Sequence, residues 1–337
     1  MSAKDVSTLL VEYEQKRRDA EINLEKRKMD LYKKFPRLQE IEEEINKISI
    51  NKTKNILIHN LSDELNTQFE NEILKLKKEK KKILEKEKIN NDIFKPQYEC
   101  EKCKDTGYIN YKDKKTIMCN CLKQKLINIS YNKSNLKNVQ KENFENFNDK
   151  IFSNEINIKK YNMNISPREN INNIRNDCKK FIDDFDNLDK KNLFFTGNTG
   201  LGKTYMTNCI ANELLKRGKT VLYQTAPVLL ETIIDNKFSK YKSSKINDFY
   251  NQVLTADLLI IDDLGTECLN SMKLSELFTI INSRSLNLSN KITKTIISTN
   301  LSISKIFNIY EERIGSRIAG YYDIYYFFGE DLRLKNK

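Results

Sequence analysis

Nowhere in the chain does an apolar run approach the ~18–20 residues that a transmembrane helix needs, so a helical membrane span is excluded. The start, Met1-Ser-Ala-Lys-Asp, leads into charged sequence and lacks the apolar core of a secretory signal, so a cytoplasmic protein without a membrane partner is expected. Histidine is nearly absent. The single one, His59 in Ile56-Leu-Ile-His-Asn60, reads as a surface or packing residue, which argues against histidine-based catalysis. A disulfide framework is not expected of seven cysteines in a reducing compartment, and the crowding of four of them between Cys100 and Cys121 asks for another explanation.

What remains is a charged, basic chain. Its 337 residues suffice for two or three domains, and 39% hydrophobic with 31% charged residues suits a globular protein with polar extensions. A formal net charge of +12 favours an anionic partner such as nucleic acid, although Lys-rich solvated helices would carry the same excess.

Residues 1–94 read as charged helices. Leu38, Ile41, Ile45 and Ile48 fall three and four apart on one narrow stripe; Phe69, Ile73, Leu76 and Ile83 make a second, interrupted by Lys80. Pro36 and the stretch 60–63 break the pattern, which predicts a helical hairpin or three-helix unit, closing on itself or gripping a partner. Residues 95–125 hold the cysteine cluster, and 126–170 read as an Asn- and Lys-rich linker. A helix over Ile171–Phe185 opens the last domain, 171–337. There, strand-like runs at Leu193–Phe195, Thr220–Gln224, Leu258–Ile261, Thr295–Thr299 and Ile324–Phe328 alternate with helical sequence. That alternation predicts an α/β domain with a parallel sheet flanked by helices.

Gly197-Asn198-Thr199-Gly200-Leu201-Gly202-Lys203-Thr204 fits the P-loop pattern at every fixed position and lies between a predicted strand and a predicted helix. Glycines let backbone N–H groups face phosphates at a positive helix end; Lys203 reaches the β- and γ-phosphates of ATP and Thr204 ligates Mg²⁺. About sixty residues on, Leu258-Leu-Ile-Ile-Asp262-Asp263 delivers carboxylates to the same sheet edge. Asp262 is the expected Mg²⁺ partner, and Asp263 would position or deprotonate the attacking water. Asn300 follows a strand tip, where a neutral amide can orient water. Arg313 and Arg317 share a helix face four residues apart, and either an ion pair with Glu311 or Glu312 or insertion into a neighbour's ATP site would explain them.

Cys100-x₂-Cys103-x₁₅-Cys119-x-Cys121 offers four thiolates in two close pairs, the donor set of a structural Zn²⁺ site with no open position for chemistry. The run from Asn236 to Lys245, with Lys237, Lys240 and Lys242 among Phe238 and Tyr241, could track single-stranded DNA or be a solvated helix.

Together, the P-loop, the Asp262-Asp263 strand, Ile297-Ser-Thr-Asn-Leu301 and Arg313-Ile-Gly-Ser-Arg317 resemble the AAA+ domain of bacterial replicative helicase loaders of the DnaI type, with the DnaC type a relative. Phe144-Glu-Asn-Phe147, Tyr98-Glu-Cys-Glu-Lys-Cys-Lys-Asp-Thr-Gly-Tyr108 and Phe328-Gly-Glu-Asp-Leu-Arg333 resemble that family too. The likeness covers residues 95–337, while the helical N-terminus matches only in character. It implies an AAA+ ATPase domain behind a zinc module and a helical partner-binding domain. Its implied task is ATP-dependent loading of a DnaB-type helicase onto single-stranded DNA in the primosome, with self-association through the ATPase domain. By the same resemblance Asn300 is the first sensor, Arg317 the finger reaching an adjacent subunit's ATP, Arg313 its support and Arg333 a second sensor. Many such enzymes carry Glu where Asp263 stands, and the shorter aspartate implies slow hydrolysis, stimulated by DNA or a partner. A helper ATPase for a transposase and a nucleotide-gated scaffold with little hydrolysis are the alternatives.

Overall fold

The computed structural model describes residues 3–59, 63–110, 116–130, 141–238, 244–287 and 291–334. Two compact units make up the chain, Thr8–Lys112 and Asp113–Lys337 with Met1–Ser7.

In the first unit α1 (Ala3–Lys34) stops just before Pro36, which opens α2 (Pro36–His59), and α3 (Asp63–Lys86) follows. Proline suits a helix's first position because its missing N–H would find no intrahelical acceptor there. Of the two stripes, Leu38 enters a small core with Leu31 and Leu84, and Ile83 packs against it with Ile93 and Phe94. Lys80, which interrupts the stripe, keeps its charge compensated: Nζ lies 2.6 Å from Glu42 Oε1 and 3.6 Å from the centroid of the Phe94 ring. Strand β1 (Tyr108–Asn110) is the last element of this unit, and β2 (Thr116–Met118), its neighbour in a two-stranded sheet, and α4 (Asn120–Ser130) are the first of the other.

The second unit continues with α5 (Ile158–Tyr161), α6 (Pro167–Asp183), β3 (Asn192–Gly197), α7 (Lys203–Lys216), β4 (Val221–Thr225), α8 (Ala226–Phe238), α9 (Ser244–Thr255), β5 (Leu258–Leu264), α10 (Ser271–Ser285), β6 (Lys294–Thr299), α11 (Ile303–Ile309), α12 (Glu311–Tyr321) and β7 (Tyr322–Phe327). The five strands β3 to β7 form one parallel sheet in the order β4-β5-β6-β3-β7. Successive side chains of a strand point to opposite faces, and here the alternation sorts them into two cores. Phe194, Leu222, Leu259, Ile261 and Ile297 meet the helices that carry Leu229, Phe249, Leu277 and Ile314. Leu193, Phe195, Val221, Ile260 and Ile296 meet Ile171 and Phe181 of α6 and Met206 and Ile210 of α7. Burial on both faces explains why these strands read as continuous apolar runs. The result is an AAA+-like α/β sheet.

One edge of the sheet is closed by a side chain. Gln124 of α4 accepts the Val221 N–H (2.6 Å) and donates to the Val221 carbonyl (3.0 Å), so its amide does for β4 what a further strand would do.

Candidate nucleotide site

Strand β3 lies inside the sheet, and its carboxyl end opens into the Gly197–Thr204 loop and then α7. Gly197, Gly200 and Gly202 all have positive φ (144°, 73° and 88°), conformations that only glycine adopts without strain. At Gly200 the space is filled as well: an added Cβ would fall 1.8 Å from Asp331 Oδ1. The C-terminal segment thus lies on the loop, where Leu332 N–H donates to the Gly200 carbonyl (3.0 Å) and Asp331 Oδ1 accepts the Arg333 N–H (2.9 Å).

Lys203 is buried, and its Nζ donates to the carbonyls of Gly197 and Asn198 (2.7 Å each) and to Asn300 Oδ1 (2.8 Å). Burial lowers its pKa to about 8, against the pull of the Asp263 and Asp262 carboxylates in the other direction. Thr204 Oγ1 lies 3.4 Å from Asp262 Oδ2. The buried Asp262 carboxylate is held on all sides. Tyr223 donates to Oδ2, Ser298 donates to Oδ1, and the Asp263 N–H reaches Oδ1 at 3.1 Å.

Asp263 takes a different direction from its neighbour. Ile261 pairs with Ile297 but Leu264 with Thr299, so three residues of β5 span two of β6. This β-bulge puts Asp263 at φ 55°, and its side chain lines the cavity. Burial and the Asp262 charge raise its pKa, while Lys203 and Arg333 oppose the shift.

A cavity of about 550 Å³ lies over the loop. Its lining joins Thr199 to Thr204, Asp263, Asn300 and Arg333 with Glu142, Phe147, Ile151, Phe152 and Tyr205. The aromatic group is mutually packed, with Phe147 5.8 Å from Tyr205 and 6.3 Å from Phe152 between ring centroids. Polar groups and aromatic rings lining one cavity suit a triphosphate joined to a flat base. Sequence reasoning did not find Glu142, Phe152 or Tyr205. Glu142 and Phe152 lie in the segment read as a linker, and no spacing rule marks any of the three.

Arg313 and Arg317 do not line this cavity. Arg313 Nε lies 2.8 Å from Glu311 Oε2 and its Cζ 5.1 Å from the Phe278 ring centroid. Arg317 lies over Tyr321, with Nη1 3.4 Å from that hydroxyl. Both Arg313 and Glu311 are about half exposed, so their ion pair contributes little to stability. Of the basic segment, Lys240, Tyr241 and Lys242 lie outside the described residues. Lys237 is engaged by Glu276 and lies 5.8 Å from the Tyr250 ring centroid.

The four cysteines of the cluster meet, with all Sγ atoms of Cys100, Cys103, Cys119 and Cys121 within 4.8 Å of one another. Zn–S bonds of about 2.3 Å place tetrahedral sulfurs about 3.8 Å apart, so the cluster can hold zinc. The first knuckle is shaped by Asp105, whose carboxylate accepts the N–H groups of Glu99 and Cys100 (2.9 Å each), while Lys104 and Asp105 turn the chain at φ 50° and 52°. Among the described residues no helix is long and apolar enough to cross a membrane.

A family model described as IstB-like ATP binding protein matches residues 136–314. Among curated proteins, the chromosomal replication initiator protein DnaA of Buchnera aphidicola subsp. Cinara cedri is 31% identical over 122 residues, 36% of this chain and 26% of the relative. DnaA of Aquifex aeolicus is 33% identical over 72 residues, 21% of this chain and 17% of the relative. The chain therefore spans about a quarter or less of the length of these relatives. Among solved structures, a DnaC helicase loader aligns at TM-score 0.42 and 22% identity over 51% of this chain and 96% of that one. A putative primosome component from Streptococcus pyogenes serotype M3 aligns at 0.42 and 18% over 57% and 89%. At these TM-scores neither likeness bears on function.

Proposed function

The chain belongs to the IstB-like ATP-binding protein family, and from that premise we propose that it is a Mg²⁺-dependent ATPase that loads a ring-shaped replicative helicase onto single-stranded DNA. The observation that carries the ATPase part is the convergence of Lys203, Asp263, Asn300 and Arg333 on one cavity over the P-loop, with Thr204 backed by Asp262.

In this reading the backbone N–H groups of Gly197 to Thr204 and the Lys203 ammonium hold the phosphates. Thr204 and Asp262 would hold Mg²⁺, which supplies charge neutralisation at the β- and γ-phosphates. Asp263 accepts a proton from water as its oxygen bonds the γ-phosphorus; the bond from that phosphorus to the bridging oxygen breaks, and ADP and phosphate leave. Asn300 orients the water and Arg333 faces the phosphates. Arg317, supported by Arg313, serves a neighbouring subunit's site, in keeping with the position of both outside their own cavity.

The loader part rests on the motif resemblance over residues 95–337 and on the paired cysteine knuckles, which would be closed by a structural Zn²⁺. The curated relatives are named chromosomal replication initiator protein, which supports a place in DNA replication. The net charge of +12 supports contact with DNA. The helical N-terminal residues would contact the helicase.

A pull-down from native extract with and without ATP tests this assignment. It is expected to recover a hexameric helicase in an ATP-dependent manner. Recovery of a transposase instead would replace the loader by a transposition helper. Turnover that stays negligible with both DNA and helicase present would leave only a nucleotide-gated scaffold.

A further inference from the structure

Beyond the cavity, the loop that follows β5 is tied to the helix bearing Arg313 and Arg317. Thr266 Oγ1 donates to the Asp263 carbonyl (2.8 Å), so the loop's first turn is fixed to the residue read as the base. Gly265 follows at φ 107°, pressed against the residue after Asn300: a Cβ there would fall 2.6 Å from Leu301 Cδ1. Thr299 Oγ1 donates to the Leu264 carbonyl (2.5 Å), joining the ends of β6 and β5, and Thr196 Oγ1 of β3 donates to the Leu301 carbonyl (2.7 Å). Asp263, the residue after Asn300 and the Gly265 turn are thus joined by direct contacts.

Glu267 carries the connection onward. Its Oε2 accepts the Gly265 N–H (2.9 Å), and its Oε1 accepts the hydroxyl proton of Tyr310. Tyr310 is fully buried and occupies the cap position of α12, so it cannot move without carrying the start of that helix. The helix is anchored through buried Ile314 and Ile318, while Arg313 is exposed and Arg317 half-buried. Within α12 each arginine lies over an aromatic ring of its own subunit, Phe278 and Tyr321.

We infer that Glu267 is a positioning residue: through Gly265 on one side and Tyr310 on the other, it couples the state of a subunit's own ATP site to the aim of its arginine helix at the next subunit. The inference rests on the trans role proposed for Arg317. A carboxylate suits the task because its two oxygens accept from two separate elements at once, which a hydroxyl or a single amide oxygen cannot do with the same geometry. The effect acts through α12, so Glu267 itself touches neither nucleotide nor metal.

The test uses the full chain, with steady-state ATP hydrolysis measured as a function of protein concentration and binding of an ATP analogue measured separately. Glu267→Ala and Tyr310→Phe are expected to lower kcat about tenfold while KM and analogue affinity stay within about twofold. Glu267→Gln, which keeps an acceptor for Tyr310, should recover part of the loss. In an Arg317→Ala background, Glu267→Ala should lower kcat no further, because both act on one step; a merely destabilising substitution would add its effect. A full additional loss in that background, or a kcat unchanged by both Glu267→Ala and Tyr310→Phe, overturns the inference. If Arg317→Ala alone leaves concentration-dependent turnover intact, it is the trans role that fails, a result separate from the outcome for Glu267.

Discussion

Asp262 and Asp263 are consecutive acidic residues at one strand end, yet one is held by hydrogen bonds beneath Thr204 and the other lines the cavity, at a point where β5 carries an extra residue. A regular strand would also have set them on opposite faces, but it would not have put Asp263 in the left-handed region at the carboxyl edge. A third aspartate shows what burial does without a functional partner. Asp257 is buried; desolvation pushes its pKa up, but the Lys291 ammonium at 2.8 Å and the Thr220 N–H and hydroxyl, both at 2.7 Å, hold it below the ordinary carboxylate value. A folded-state value below the unfolded one means stabilisation that is fully present above about pH 4 and is lost as pH falls through the folded value. Asp257→Asn is therefore expected to cost about 1–3 kcal/mol at pH 7, and chemical denaturation at several pH values should show the gap to the unaltered protein closing toward pH 3.

At the scale of elements, the α2–α3 pair depends on a polar contact inside its seam. Glu42 accepts from Lys80 (2.6 Å) and from Tyr32 (2.5 Å) and is only part-buried. Lys80→Ala leaves that carboxylate without its cation and should cost about 1–2 kcal/mol, less than a fully buried pair would; urea denaturation measures it. The cysteine segment has too few residues for a core of its own, so metal is expected to be part of its fold. Purified protein should contain about one zinc per chain by elemental analysis, and Cys103→Ser should lose it. Strands of the second unit were legible as short continuous apolar runs between turn signals, and its helices as the segments alternating with them. The five predicted strands match β3 to β7 to within a few residues, and the helix read over Ile171–Phe185 begins at Pro167. What escaped is what has no period: the Gln124 clamp on β4 joins residues 97 apart in sequence, and no local pattern announces it.

For the whole molecule, the candidate site was readable where chemistry fixes a spacing and hidden where packing decides. Lys203 with Thr204 stands on the P-loop pattern, and Asp262 on a strand ending in acids. Asn300 is where a strand tip must meet them, and the structure brings it to 2.8 Å from Lys203 Nζ. Glu142, Phe152 and Tyr205 line the same cavity because residues 141–152 fold back onto α7, which composition alone made look like a tether. The roles proposed for the charged first unit and the basic balance depend on the cavity taking up nucleotide. Calorimetric titration of the purified chain with ATP in Mg²⁺ buffer tests that directly. One saturable site per chain is expected, weakened at least tenfold by Lys203→Ala; no heat of binding, or binding untouched by that substitution, would overturn the nucleotide site.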